Sequence, residues 1–305
     1  MSKRVLVVGL GNMGMSHALA YTRIPGFEVV GVCERRIADR KLPPALAKAK
    51  TFSKFEEALR TLKPDVVSIN TLPDTHADFA IKAMEAGAHV FVEIARQLGH
   101  PLVFRMNLNQ QSNGETWAWH KRLMDSFPPI VDCGVHYVDV MCQMTKAKPI
   151  KVHAIGAKLT DEVKLNNYGM LQVIFDDGSV GWYEAGWGPM MSETAFFVKD
   201  VIGPKGSVSI VMAETAGSVK SDDINAHTKT NQILWHHTDM SKPDERIDVS
   251  DEPDHDALCE REQRYLLRAI DEAIDLTNHM NDAVNSLKIV IAADKSIHTG
   301  QVVAL

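Results

Sequence analysis

The run Val5-Leu6-Val7-Val8-Gly9-Leu10-Gly11-Asn12-Met13-Gly14 decides the fold of this chain. Its four leading apolar residues suit a short parallel strand covered on both faces. The glycines that follow stand in the order G-x-G-x-x-G. In that order the first allows a tight turn, the second lets backbone approach a pyrophosphate, and the third lets helix and strand pack closely. A helix opening there offers unpaired N–H groups and a partial positive charge to phosphates. Gly9, Gly11, Asn12, Met13 and Gly14 are therefore candidate cofactor-binding residues. A strand-to-helix turn without a ligand would use the same glycines, so the surrounding pattern decides between the two.

That pattern alternates. A helix is expected over 15–22, ending near Pro25-Gly26, and Phe27–Cys33 reads as a second buried strand. It ends at Glu34, where a carboxylate can accept hydrogen bonds from the adenosine ribose hydroxyls and repel a 2′-phosphate. This favours NAD. Arg35 and Arg36 follow at once, and a guanidinium there can hold that phosphate or stack on adenine, so NADP stays open. Ser53-Lys54-Phe55-Glu56 has the form of a capping box opening a helix to Leu62. A strand is expected over 66–70. The loop Thr71-Leu72-Pro73-Asp74-Thr75-His76 lies at its C-terminal end, where open α/β sheets bind ligands. Asn70, Thr71, Leu72 and His76 are candidates on that ground, although capping or packing serves His76 equally well. A helix over 77–86, stopped by Gly87, and a strand over 88–93 complete a βαβ series with a parallel sheet.

After about Arg96 the pattern changes to strands over 101–108, 150–155, 168–175, 179–185, 195–201 and 207–211. Several alternate in polarity, and Asp176-Asp177-Gly178 is a hairpin turn signal. One large, mainly antiparallel open sheet is expected, with helices over 132–145, 260–274 and 281–298, the last stopped by Gly300. The stretch 213–253 reads as loops with a strand around 232–236. The division is a dinucleotide-binding domain over 1–96 and an α+β domain for substrate and oligomerisation over 97–305.

Composition narrows the partners. The 305 residues are 45% hydrophobic and 24% charged, an ordinary globular balance. A net charge of -6 gives no support for nucleic-acid binding, and no apolar run is long enough to span a bilayer. Lys3-Arg4 and the apolar run after it imitate a signal peptide loosely, but three glycines and Asn12 interrupt the run. Cys33, Cys133, Cys142 and Cys259 are scattered without a C-x-x-C pair, which fits reduced thiols in a cytoplasm. Cys133 and Cys142 flank His136, but their spacing matches no familiar zinc pattern, so no metal is expected.

Chemistry points to Asp132-Cys133-Gly134-Val135-His136. On a helix, residues four apart share one face. A histidine can take a hydroxyl proton near neutral pH, and a carboxylate beside it can orient it or bind substrate. Spacing alone leaves open an N-cap Asp with an ordinary helix histidine, and Asp139 is also within reach of His136. His236-His237 would point to opposite faces of a strand.

Taken together, the chain resembles the glucose–fructose oxidoreductase, inositol dehydrogenase and MocA family (Gfo/Idh/MocA). The resemblance rests on Gly9–Gly14, Thr71–His76, Ala86–Glu93, Gly134-Val135-His136-Tyr137-Val138-Asp139, Ile202–Ser207 and Ala292–Gly300, in the family's order. It implies a Rossmann domain, then an α+β domain whose open sheet builds homo-oligomers. It also implies hydride transfer between NAD(P) and a sugar, polyol or related hydroxyl compound. By resemblance His136 is the proton acceptor, Asp132 a substrate ligand and Glu93 part of the cofactor site.

One departure matters. The family typically follows the Glu93 position with Lys-Pro, and that lysine contacts substrate and supports proton transfer; here Ile94-Ala95 follow. A further helix, strand and helix normally precede the strand matched by 101–108, and this chain has almost none of that. The residues 93–101 look like the end of that last helix, its glycine stop and the next strand. These features place a join near Val92–Glu93. Without the lysine, a nucleotide-binding pseudoenzyme or regulator is an alternative; a hydrolase or lyase using NAD transiently on the same fold is another. A sheet stripped of its edge strand would expose apolar surface, so a segment omitted from the sequence is less strained than a true deletion. The natural protein is therefore expected to have an intact mass above 33.8 kDa, and a measured 33.8 kDa would establish the deletion.

Overall fold

Alternating apolar strands and amphipathic helices in the first third of the chain produce a parallel sheet in the computed structural model, which describes residues 2–71, 100–145, 147–193, 197–211, 220–221, 231–249 and 254–305. The chain divides into two compact units: Met1–Glu93 with Pro253–Leu276, and Ile94–Glu252 with Thr277–Leu305.

In the first unit, strands β1 (Lys3–Val8), β2 (Phe27–Cys33), β3 (Lys50–Phe52) and β4 (Val66–Ile69) form a sheet in the order β3-β2-β1-β4, all parallel. The side-chain period of two sends alternate residues of β1 to opposite faces. Val5 and Val7 pack with Tyr21 and Ile24 of helix α1 (Asn12–Arg23) and its C-cap, while Leu6 and Val8 pack with Phe55, Ala58 and Leu62 of α2 (Phe55–Leu62). The capping box expected before α2 does not form. Lys54, not Ser53, is the N-cap and its side chain makes no cap hydrogen bond, while Phe55 is buried at the start of α2.

A second correction concerns helix 255–271, expected over 260–274 and assigned to the second domain. It runs from His255 to Asp271 (numbered α6 below) and belongs to the first unit, with Leu266 buried in the same cluster as Val5, Val7 and Tyr21. A boundary drawn along the sequence cannot show a segment that returns.

The second unit holds β5 (Val103–Gln111), α3 (Gly114–Leu123), α4 (Pro129–Asp132), α5 (Gly134–Thr145) and strands β6 (Pro149–Ala157), β7 (Tyr168–Phe175), β8 (Val180–Gly188), β9 (Phe197–Gly203), β10 (Gly206–Val211), β11 (Asn231–His237) and β12 (Glu245–Val249). Helix α7 (Thr277–Thr299) and strand β13 (Val303–Ala304) close it. Its sheet runs β12-β11-β10-β9-β5-β8-β7-β6-β13. Every pairing is antiparallel except β5 with β8. Gly178, at φ +86°, closes the β7–β8 hairpin as its sequence signals. β12 lies in the stretch read as loops, and its polar sequence hides it. α3 and β3 also have no counterpart in the sequence reading.

One face of this sheet carries α4, α5 and α7 over a core that includes Phe104, Leu171, Val173, Tyr183 and Val290. Ser296 ties α7 to the sheet edge by accepting from the Ala154 N–H at 2.9 Å and donating to the Gln301 carbonyl at 2.6 Å. Among the described residues no helix is long and apolar enough to cross a membrane.

Candidate functional site

The glycine loop is set by backbone contact. Gly9 has φ +82°, and a Cβ there would stand 2.5 Å from the Asn70 carbonyl oxygen. A Cβ on Gly14 would lie 2.0 Å from the Gly9 carbonyl oxygen, so only glycine lets α1 start this close to the end of β1. Gly11 faces open space: a Cβ there would meet nothing within 4 Å. It is also the N-cap of α1 and brings no side-chain acceptor, and the first turn holds no acidic residue. The first N–H groups of α1, at Asn12 and Met13, thus begin a helix whose N-terminal charge is uncancelled and whose approach is open. These features fit a dinucleotide pyrophosphate.

Glu34 stands at the end of β2, and its Oε2 accepts from the Leu10 N–H at 3.0 Å. One carboxylate oxygen therefore braces the glycine loop, a role the sequence reading did not include. Arg35 follows as an exposed turn residue. Asn70 continues from β4, its N–H donating to the Val8 carbonyl at 2.7 Å and its amide donating to Ser68 Oγ at 2.9 Å. Thr71 reaches the Gly9 turn with its methyl group. Leu72, His76, Glu93 and the join at Val92–Glu93 lie outside the described residues.

In the second unit, the single helix expected over 132–145 is two. Asp132 ends α4 and His136 lies in the first turn of α5. Cys133 between them keeps right-handed helical backbone, φ -80° and ψ -34°, so the two side chains stay about one turn apart. Asp132 is not an N-cap. Its carboxylate has no hydrogen-bond partner among the described residues, and burial pushes its pKa up to about 6. His136 is exposed; desolvation by the protein beside it lowers its pKa from the ordinary value, opposed by the Asp139 carboxylate. Asp139 itself is held from α7, accepting from Ser286 Oγ at 2.8 Å. That leaves Asp132 as the uncommitted carboxylate of this turn.

Beneath α5, Tyr137 stacks on Tyr183 with ring centroids 4.6 Å apart, and the buried Tyr183 hydroxyl has no partner among the described residues. Lys199 of β9 places its ammonium 5.4 Å from the Tyr137 ring centroid, so a cation packs against α5 although Ile94 stands where the resemblance expects lysine. His236 and His237 turn to separate carboxylates, Asp244 at 2.8 Å and Glu245 at 2.6 Å, as neighbours on a strand should. Among the described residues no three of His, Cys, Asp and Glu converge as metal ligands. The fold also brings His255 of α6 to the glycine loop, its Nε2 3.2 Å from the Met13 sulfur. Nothing in the sequence signals a contact across 242 positions.

Two family profiles cover this chain. Residues 3–107 match an oxidoreductase family with an NAD-binding Rossmann fold, and residues 94–209 match the GFO/IDH/MocA C-terminal domain. The chain belongs to the Gfo/Idh/MocA oxidoreductase family. Its cofactor class is NAD. Among solved structures, an oxidoreductase from Agrobacterium radiobacter in complex with NAD+, L-tartaric acid and magnesium superposes with a TM-score of 0.75 at 10% identity, covering 100% of this chain and 98% of that one. Myo-inositol 2-dehydrogenase from Lactobacillus plantarum gives 0.73 at 16% identity with full coverage of both chains. At such identity the likeness concerns the fold. Among curated relatives, a glycosyl hydrolase family 109 protein of Akkermansia muciniphila is 34% identical over 101 residues, 30% of this chain and 21% of that protein. An α-N-acetylgalactosaminidase of Shewanella oneidensis is 32% identical over 102 residues, 30% of this chain and 22% of that protein. The match thus spans about a fifth of the curated relatives.

The close contact at Gly14 yields a direct expectation. Gly14→Ala forces a methyl group against the Gly9 carbonyl, 2.0 Å away, and must move α1. NAD affinity measured by calorimetry should fall by about tenfold or more, equivalent to about 1.4 kcal/mol; unchanged affinity would mean the loop does not carry the cofactor.

Proposed function

We propose that this Gfo/Idh/MocA chain is an NAD-dependent oxidoreductase acting on a hydroxyl-bearing carbon of a sugar, polyol or related compound. The observation that carries the proposal is the pair of Asp132, with its unpaired carboxylate raised to about pKa 6, and His136, with its lowered pKa, one helical turn away. Bound NAD supplies the hydride acceptor. Backbone N–H groups of the Gly9, Gly11, Asn12, Met13 and Gly14 loop would hold its pyrophosphate, and Glu34 and Arg35 would meet the adenosine ribose. Asn70, Thr71, Leu72, His76 and Glu93 are assigned to the cofactor from the sequence, residues 70–76 as the segment that follows β4 and Glu93 by the family resemblance. His136 accepts the hydroxyl proton as the carbon loses hydride, which balances the oxidation to a carbonyl. Asp132 accepts a hydrogen bond from the substrate and holds it against that imidazole. Lys199 supplies positive charge against the same helix.

A second reading is supported by the curated relatives, an α-N-acetylgalactosaminidase among them. There the same pair would serve a cleavage in which no net NADH appears. Isoleucine at position 94 supports a third, a binding protein without turnover. One assay separates them: NADH formed from a polyol and sugar panel, sugar released from an N-acetylgalactosaminide, or neither with NAD bound. Self-assembly through the open sheet face belongs to the proposal as well, because Val103, Val180 and Ile202 form a contiguous exposed apolar row there.

The pH dependence follows from the two shifts. A base must be deprotonated, and His136 sits below its ordinary 6.5 while Asp132 sits at about 6. Both groups are therefore in working form at neutral pH, and kcat/KM should fall only as pH drops below about 6.5. His136→Asn should lower kcat by about 10²–10⁴-fold while NAD affinity holds. An acid limb above pH 7, or full activity in His136→Asn, would remove His136 from the chemistry.

A further inference from the structure

Helix α6 returns to the first unit late in the chain and starts beside the glycine loop. Asp254 caps it, accepting from the Ala257 N–H at 2.9 Å, and His255 is its first residue. The imidazole is largely enclosed, with 13% of its side chain exposed. Nε2 lies 3.2 Å from the sulfur of Met13 and 3.9 Å from that of Cys259, both weak hydrogen-bonding partners, and Nδ1 lies 3.4 Å from Asp256 Oδ1. Asp256 in turn takes a hydrogen bond from Ser16. Met13 and Ser16 both belong to the first turns of α1, so the ring is fastened from two sides to the helix that opens the loop.

The contact at Nε2 is unequal to its partner. With Nδ1 turned to the Asp256 carboxylate, an acceptor only, Nε2 carries a proton in the imidazolium form, and there a full donor faces a thioether, a weak acceptor. Met13, which Nε2 touches, belongs to the first turn of α1, whose start has no side-chain cap and whose Gly11 faces open space. Met13 is 42% exposed, and its three rotatable bonds let it leave at little cost. A phosphate oxygen would be the stronger acceptor, because a hydrogen bond to an anion is about twice as strong as a neutral one.

We propose that His255 is a cofactor-binding residue which, as the imidazolium, keeps Nδ1–H on Asp256 and donates Nε2–H to a pyrophosphate oxygen of the dinucleotide at the N-terminus of α1, in exchange for the Met13 thioether. The assignment rests on the NAD site proposed above and adds a ligand from outside the glycine motif. It makes the returning helix part of the nucleotide site as well as part of the first unit's core. Asp256 accepts from Nδ1–H and so fixes which nitrogen is left to face Met13.

The test is calorimetric titration of the full chain with NAD, ADP and, by displacement, adenosine. His255→Ala should weaken NAD and ADP by about tenfold or more and leave adenosine within about twofold, since only the first two carry the pyrophosphate. His255→Gln, whose amide nitrogen reaches the place of Nε2, should recover most of the loss. Equal weakening of ADP and adenosine would make His255 a structural support of the loop and overturn the assignment. Unchanged ADP affinity in His255→Ala, with normal wild-type binding, would overturn it while leaving the NAD site standing. A wild-type chain that binds none of the three would overturn both.

Discussion

The first unit depends on a contact that has no room for a methyl group. Gly14 lies against the carbonyl of Gly9, and Gly9 lies against the backbone of Asn70. That double approach fixes where α1 starts over the ends of β1 and β4. The rest follows from packing. With α1 so placed, Tyr21 and Ile24 reach Val5 and Val7, and α6 finds a surface for Leu266. The same constraint leaves the first N–H groups of α1 pointing out of the sheet without a capping side chain. A helix start that cannot be capped from within is one that an anion can complete.

The second unit carries a different tension. A carboxylate whose folded pKa is about 6 is penalised when ionised, since its unfolded value lies near 4. Above about pH 6 the charge of Asp132 therefore weakens the fold, and the penalty lifts as pH falls toward 4. Tyr183, just beneath, keeps a buried hydroxyl without a partner among the described residues. Two such costs on adjoining elements make sense where the groups serve something other than folding. Asp139, by contrast, is bonded to Ser286 and serves to anchor α5 to α7.

Much of this is legible in the sequence, and the reasons differ by element. β1, β2, β7 and the Gly178 hairpin declare themselves because periodicity and turn chemistry are local. Glu34 is legible as a candidate at the end of β2, but its brace on Leu10 is not, because that bond depends on how far β2 extends past the loop. The capping box fails since a matching S-x-x-E pattern does not oblige Ser53 to take the N-cap position; Lys54 holds it. β12 is hidden because Glu245–Val249 is polar and lies at the edge of the sheet formed by the described strands. The place of α6 and the reach of His255 toward Met13 are beyond any local pattern, as both arise from a chain that leaves the first unit and comes back. The pair Asp132 and His136 is legible by spacing, whereas the break at Cys133 and the desolvation of the carboxylate appear only in three dimensions.

The proposed nucleotide site joins the glycine loop to Glu34, a carboxylate at the end of β2 that would meet the ribose hydroxyls of NAD and repel the extra phosphate of NADP. Competitive binding of NAD and NADP to the unaltered chain measures this most directly. Glu34 predicts one site with NAD preferred by about tenfold or more. Equal or tighter binding of NADP, or no binding of either dinucleotide, would contradict it.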